Sequence, residues 1–121
     1  MLSSEHVDGI LIIRCHTDVV YERAEDFRLM LSRLLGGPET RVVLDLESAR
    51  FLCSTALGSI AATCARLRQC GGELVLAGLS ADVDRVFFVT KLSSVIRVAT
   101  DWEEAVGLLQ SCPGTSRLSS S

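Results

Sequence analysis

Histidine is scarce in this chain: His6 and His16 are the only two, both in the N-terminal third. That scarcity bears first on enzyme chemistry. A serine nucleophile needs a base, and the base needs an orienting partner. His16 with Asp18, two residues further along, is a poor geometry for such a pair, and the turn around Ser54 lacks the glycines of G-x-S-x-G. No G-x-G-x-x-G occurs, and no G-K-[ST] follows a glycine-rich turn, so neither dinucleotide nor P-loop phosphate binding is supported. The five cysteines (Cys15, Cys53, Cys64, Cys70 and Cys112) form no C-x-x-C pair. An odd count without metal spacing reads as reduced thiols in a cytosolic protein. There is no basic run to follow a phosphate backbone, and the net charge is −3, which argues against nucleic acid as a partner. Leu2 to Val7 is too short and polar for a signal peptide, and no apolar run approaches a membrane span. The expectation is a soluble, cytoplasmic, non-enzymatic chain with no metal, no cofactor and no direct membrane insertion.

What is present is enough apolar sequence for a core. Apolar residues make up 48% of 121 residues, which suits one compact domain. Asp8-Gly9 is a two-residue hairpin signal, with Leu2 to Val7 before it as a short edge strand. Ile10-Leu11-Ile12-Ile13 after it reads as a strand covered on both faces. From Glu22 to Leu35 the residues Ala24, Phe27, Leu31, Leu34 and Leu35 fall on one helical face. Gly36-Gly37-Pro38 ends that helix by supplying left-handed conformations and removing a donor. Val42 to about Leu46 is the next strand. From Ser54 the period turns helical, with Leu57, Ile60, Ala61, Cys64 and Leu67 on one stripe, and Gly71-Gly72 stops it. Leu74 to Ala77 is a strand. Ser80 is the N-cap of a helix carrying Val83, Val86 and Phe87, and Val95 to Ala99 is a short strand. Thr100-Asp101-Trp102-Glu103 fits a capping box before Trp102, Ala105, Val106 and Leu109. Strands alternating with helices predict an α/β domain over 1–110, with a mixed, mostly parallel sheet of four to five strands and about four helices. The serine-rich tail, 111–121, is expected to fray.

The strand-to-helix junction Phe51-Leu52-Cys53-Ser54-Thr55-Ala56-Leu57-Gly58 carries a hydroxyl pair with nothing beside it to activate it. Two readings of Ser54 stand side by side. It is an N-cap, its oxygen accepting from a backbone N–H two or three residues on, a role that contributes about 1 kcal/mol. Alternatively it is a phosphoacceptor. A helix N-terminus has unpaired N–H groups and a positive dipole end, so it tolerates added negative charge, and a kinase would bring its own base and metal. Phosphorylation would place about −1.5 to −2 charges at an apolar corner and change recognition more than fold. Cys53, a thiol beside a helix N-terminus, is a candidate redox residue by the same electrostatics.

The chain from about residue 8 to 110 is similar to the STAS domains, the sulphate-transporter and anti-sigma-factor-antagonist family. The resemblance is carried by Val42-Val43-Leu44-Asp45-Leu46 and then Ala49 to Gly58, which resembles the family's strand ending in aspartate followed by aspartate-serine-serine/threonine-glycine-leucine-glycine. Gly71 to Leu76, Val83 to Phe87 with Leu92 and Val95 to Arg97, and Trp102 to Val106 supply the supporting register. The resemblance implies a bacterial anti-sigma factor antagonist. In its unphosphorylated state such a protein binds an anti-sigma factor that is also a serine kinase. Phosphorylation separates the pair, and a PP2C-type phosphatase resets it. Carried over, the acceptor is Ser54, with Thr55 as second choice. The implied partner surface is the corner of Val19, Val20, Tyr21 and Glu22 with Cys53, Thr55, Ala56, Leu57 and Gly58, where exposed Val19, Val20 and Tyr21 would make an apolar patch. This sequence departs from the family form at Cys53 (aspartate), Ala56 (glycine) and Val20 (aspartate in many antagonists). Those departures keep an alternative open: an interaction module that is never phosphorylated, such as a scaffold or a transporter-associated subunit.

Overall fold

The computed structural model describes residues 1–37 and 40–110. In chain order the elements are β1 (Leu2–Val7), β2 (Ile10–Cys15), α1 (Ala24–Leu34), β3 (Arg41–Asp45), α2 (Ser54–Gln69), β4 (Glu73–Ala77), α3 (Ala81–Val89), β5 (Arg97–Ala99) and α4 (Trp102–Gln110). Single 3₁₀ turns lie at Tyr21–Arg23 and Leu92–Ser94. The five strands form one sheet in sequential order. β1 pairs antiparallel with β2, and every later neighbour pair is parallel. The α/β architecture read from the sequence is therefore observed; the expected tail, 111–121, lies outside the described residues, as does Pro38.

Alternation along the strands decides which helix each residue meets. Leu11, Ile13, Val42, Leu44, Leu74 and Leu76 face α1, α2 and α3, where Phe27, Ile60 and Phe87 are fully buried. Ile10, Ile12, Val43, Val75 and Ala77 face α4 and its Ala105, Val106 and Leu109. A strand buried on both faces reads as a continuous apolar run, which is why β2, β3 and β4 are so plain in the sequence.

Local signals held where their chemistry is short-range. Asp8 and Gly9 both take positive φ, 53° and 80°, and Val7 pairs with Ile10 across them, the geometry of a type I′ hairpin. At the end of α2, Gly71 N–H donates to Arg68 O at 3.1 Å and Gly72 N–H to Leu67 O at 2.7 Å, a Schellman closure with Gly71 left-handed at φ 80°. Gly72 is required for space: a Cβ there would lie 2.1 Å from Thr40 O. Ser80 caps α3, accepting from Val83 N–H at 3.3 Å.

Four boundaries differ from expectation. The first helix opens as a 3₁₀ turn and becomes α-helical only at Ala24. Its end does not use a left-handed Gly36; Leu35 N–H bonds Leu31 O and Gly36 N–H bonds Arg33 O instead. The fifth strand begins at Arg97, since Val95 and Ile96 still donate to Leu92 O. The capping box is shifted by one residue. Asp101 Oδ1 accepts from Glu104 N–H at 2.8 Å, and the Glu104 carboxylate accepts from Thr100 N–H at 2.6 Å. Aspartate outcompetes threonine as a cap because its carboxylate also meets the positive end of the helix.

Candidate functional site

The junction that opens α2 is built from two loops at the carboxyl ends of β2 and β3. Asp45, the last residue of β3, is buried. Its Oδ1 accepts from Glu47 N–H at 3.0 Å and turns the chain out of the sheet. Its other oxygen lies 3.5 Å from Arg14 Nε, whose guanidinium sits 5.2 Å from the Trp102 ring. An otherwise costly buried carboxylate is thus partnered. The chain then runs beside the loop that comes after β2. Val19 and Leu52 form an isolated parallel bridge. Val19 N–H donates to Phe51 O at 2.9 Å, and Cys53 N–H to Val19 O at 3.0 Å.

This pairing sets the start of α2 one residue earlier than the N-cap reading of Ser54 required. Cys53 is the N-cap, extended at φ −71° and ψ 166°, and it provides no side-chain cap. Leu57 N–H closes the first turn onto Cys53 O at 3.0 Å. Ser54 is therefore the first helical residue, and its side chain points to solvent. Among the described residues its hydroxyl makes no hydrogen bond. No acidic residue lies in the first turn of this 16-residue helix, so its positive end carries no compensating charge. Thr55 is also exposed, and its carbonyl accepts from Ser59 Oγ at 3.2 Å.

The structure brings Val20, Tyr21, Glu22, Ser54, Thr55 and Gly58 to the surface of this corner. It does not do so for all the residues expected there. Val19 is fully buried, which corrects its place in an exposed apolar patch: an extended segment alternates, so the bridge that turns Val20 outward turns Val19 into the core. Cys53, Ala56 and Leu57 are likewise buried, at 7%, 0% and 6% exposure, and support the surface from beneath. Ala56 occupies a helical first-turn position, where alanine is comfortable.

Two features of the corner extend beyond the expected site residues. Phe51 is half exposed and, with Leu52, Leu57, Val83 and Val86, lines an apolar notch of about 60 Å³ between α2 and α3. On the other side an open groove of about 520 Å³ runs between α1 and α2, from Thr55 and Gly58 past Arg28 and Arg66. Phe51 breaks no periodic pattern, so its apolar type three residues before Ser54 is the one sequence signal that could have found it. His16 is drawn away from the corner: its Nε2 lies 2.6 Å from Ser3 Oγ on β1. Asp18 is engaged with Arg50 N–H at 2.7 Å rather than with a histidine. Burial pushes the thiols of Cys15 and Cys64 up from their ordinary range.

A mixed sheet in sequential order, with three helices on one face and one on the other, defines a single α/β domain whose accessible serine stands at a helix start. The chain belongs to the STAS domain family, whose model matches residues 1–105. It is 34% identical over 104 residues to a Bordetella bronchiseptica protein named as a candidate anti-sigma factor antagonist, BtrV, covering 86% of this chain and 90% of that protein. The anti-sigma factor antagonist SpoIIAA of Bacillus, in its unphosphorylated form, shares the fold at a TM-score of 0.76 and 23% identity, over 93% of this chain and 98% of SpoIIAA. The murine anion transporter Slc26a9 also contains the fold, at a TM-score of 0.76 and 16% identity, over 89% of this chain and 19% of the transporter. Among the described residues no helix is long and apolar enough to cross a membrane.

Proposed function

We propose that this chain is an anti-sigma factor antagonist switched at Ser54. Unphosphorylated, it docks through the Val20, Tyr21, Ser54, Thr55 and Gly58 surface onto an anti-sigma factor with serine kinase activity. That kinase transfers a phosphoryl group to Ser54 Oγ and the complex separates, to be reset by a PP2C-type phosphatase. The observation that carries the reading is the state of Ser54: an exposed, unengaged hydroxyl on the first residue of a 16-residue helix, flanked by exposed Val20 and Tyr21. A phosphate there would find free N–H groups and an uncompensated helix dipole, so the fold would hold while about two added negative charges changed which proteins can approach. The family membership and the BtrV relationship support the same role.

A second reading is favoured by one residue. Where the family form has an aspartate before the serine, this chain has Cys53, and the thiol is buried. A kinase that reads that acid would pass this chain by, leaving a constitutive interaction module; the fold also occurs within an anion transporter, which is compatible with such a role. Affinity purification with Ser54→Ala and Ser54→Asp separates the two. Loss of a kinase-type partner with the acidic variant alone supports the switch. Equal recovery with both variants, and no phosphate on Ser54 by mass spectrometry, favours the module.

A further inference from the structure

The geometry points to Asp18 as the positioning residue of the Ser54 corner: its carboxylate locks the loop before α2 onto the loop after β2. The main chain alone joins these loops weakly. The Val19–Leu52 bridge is isolated, and both of its backbone bonds involve the same residue, Val19 N–H to Phe51 O and Cys53 N–H to Val19 O. A regular parallel ladder would continue with Phe51 N–H on Thr17 O, and that bond is not made. Instead Asp18 Oδ1 accepts from Arg50 N–H at 2.7 Å. It adds a side-chain rung next to the bridge, one that needs an oxygen acceptor at position 18.

The rung matters at the start of α2, whose buried face from Ala56 to Leu67 is aimed by the core but whose first residue is not capped. Cys53 gives α2 no side-chain cap, so the path of the loop into Ser54 is set by the backbone bonds at Val19 and by the rung at Asp18. Releasing Arg50 leaves the segment 47–51 held by the Asp45–Glu47 bond, by buried Ala49 with its N–H on Leu46 O and by the bridge, with Arg50 itself untied. Ser54 would then lose its fixed placement relative to Val20 and Tyr21. Asp18's contribution to docking rests on the antagonist role proposed for Ser54; its contribution to the corner's geometry does not.

Asparagine keeps an oxygen acceptor at this position and loses the charge, whereas alanine loses both. In Asp18→Ala, amide hydrogen exchange at Arg50, Val19 and Cys53 accelerates about tenfold, and trypsin nicks the chain after Arg50 sooner. In Asp18→Asn both readouts stay near wild type. With the anti-sigma serine kinase of the same host as probe, Asp18→Ala raises KM for Ser54 phosphorylation by about tenfold with little change in kcat, and Asp18→Asn restores it. Unchanged exchange in Asp18→Ala overturns the inference. So does an Asp18→Asn variant that keeps its exchange protection but shows the KM defect of alanine, because the charge would then be read directly by the kinase. A kinase that ignores the wild-type chain removes the antagonist role, while exchange and proteolysis still decide the tether.

Discussion

Val19 and Leu52 lie side by side in a lone parallel bridge, both buried, and between them they hold the two loops that frame Ser54. The neighbours Asp18, Val20 and Phe51 are exposed, so substitutions one position apart should behave oppositely. Val19→Ala removes packed methyl groups from a fully buried site and is expected to cost about 2 kcal/mol in stability. Val20→Lys, on the solvent side, is expected to stay within about 0.5 kcal/mol of wild type while weakening partner capture. Denaturant melts of the two variants check the first half, and affinity purification the second.

The acidic variant at Ser54 should be more stable than wild type. The first turn of α2 holds no acid, so Ser54→Asp adds a negative charge where the helix dipole favours it, worth roughly 0.3–1 kcal/mol at low ionic strength. Ser54→Ala should be close to neutral, since the hydroxyl caps nothing. Thermal melts at low and high salt test this: the gain of the aspartate variant shrinks as salt screens it. A stable variant that no longer binds would have lost recognition and kept its fold.

Gly58 lies inside α2, exposed, and a Cβ there would meet nothing within 4 Å. No intramolecular contact asks for glycine. Gly58→Ala is therefore expected to raise stability by about 1 kcal/mol. If the partner's main chain approaches this face of the helix, the same substitution lowers affinity. A melt and a binding isotherm on one variant report both effects, and a gain in stability with unchanged affinity would take Gly58 out of the contact surface.

Cysteine reactivity should track burial. Cys70 is exposed, whereas Cys15, Cys53 and Cys64 are buried as free thiols. Among these four, alkylation and peptide mapping should label Cys70 first, and a Cys53 no faster than a free thiol ends its candidacy as a redox residue. Cys15 and Cys64 have their thiol pKa values raised, chiefly by desolvation. The folded state thus holds these protons more tightly than the unfolded chain. Their contribution to stability is fully present below the unfolded value of roughly 8.5 and is lost as pH rises through the folded values. Melts across the alkaline range should show that decline, and Cys15→Ser should change its slope.

The sequence by itself determined the elements and their order. Apolar runs in β2, β3 and β4, the Asp8-Gly9 turn, the Gly71-Gly72 stop and the Ser80 cap all act over a few residues, and their chemistry is written in those residues. The STAS resemblance and the location of Ser54 at a helix start were legible for the same reason. Tertiary structure decided which side of the corner faces water. Val19 and Val20 are the same residue type, adjacent in sequence, and their opposite fates come from pairing with Leu52, a contact that closes only when β2 and β3 lie side by side. The same pairing set the helix to start at Ser54 with Cys53 as its cap, and gave Asp18 its partner on Arg50. Short-range signals cannot specify such contacts, because the energy that fixes them comes from burial and from hydrogen bonds between segments that meet only in the folded chain.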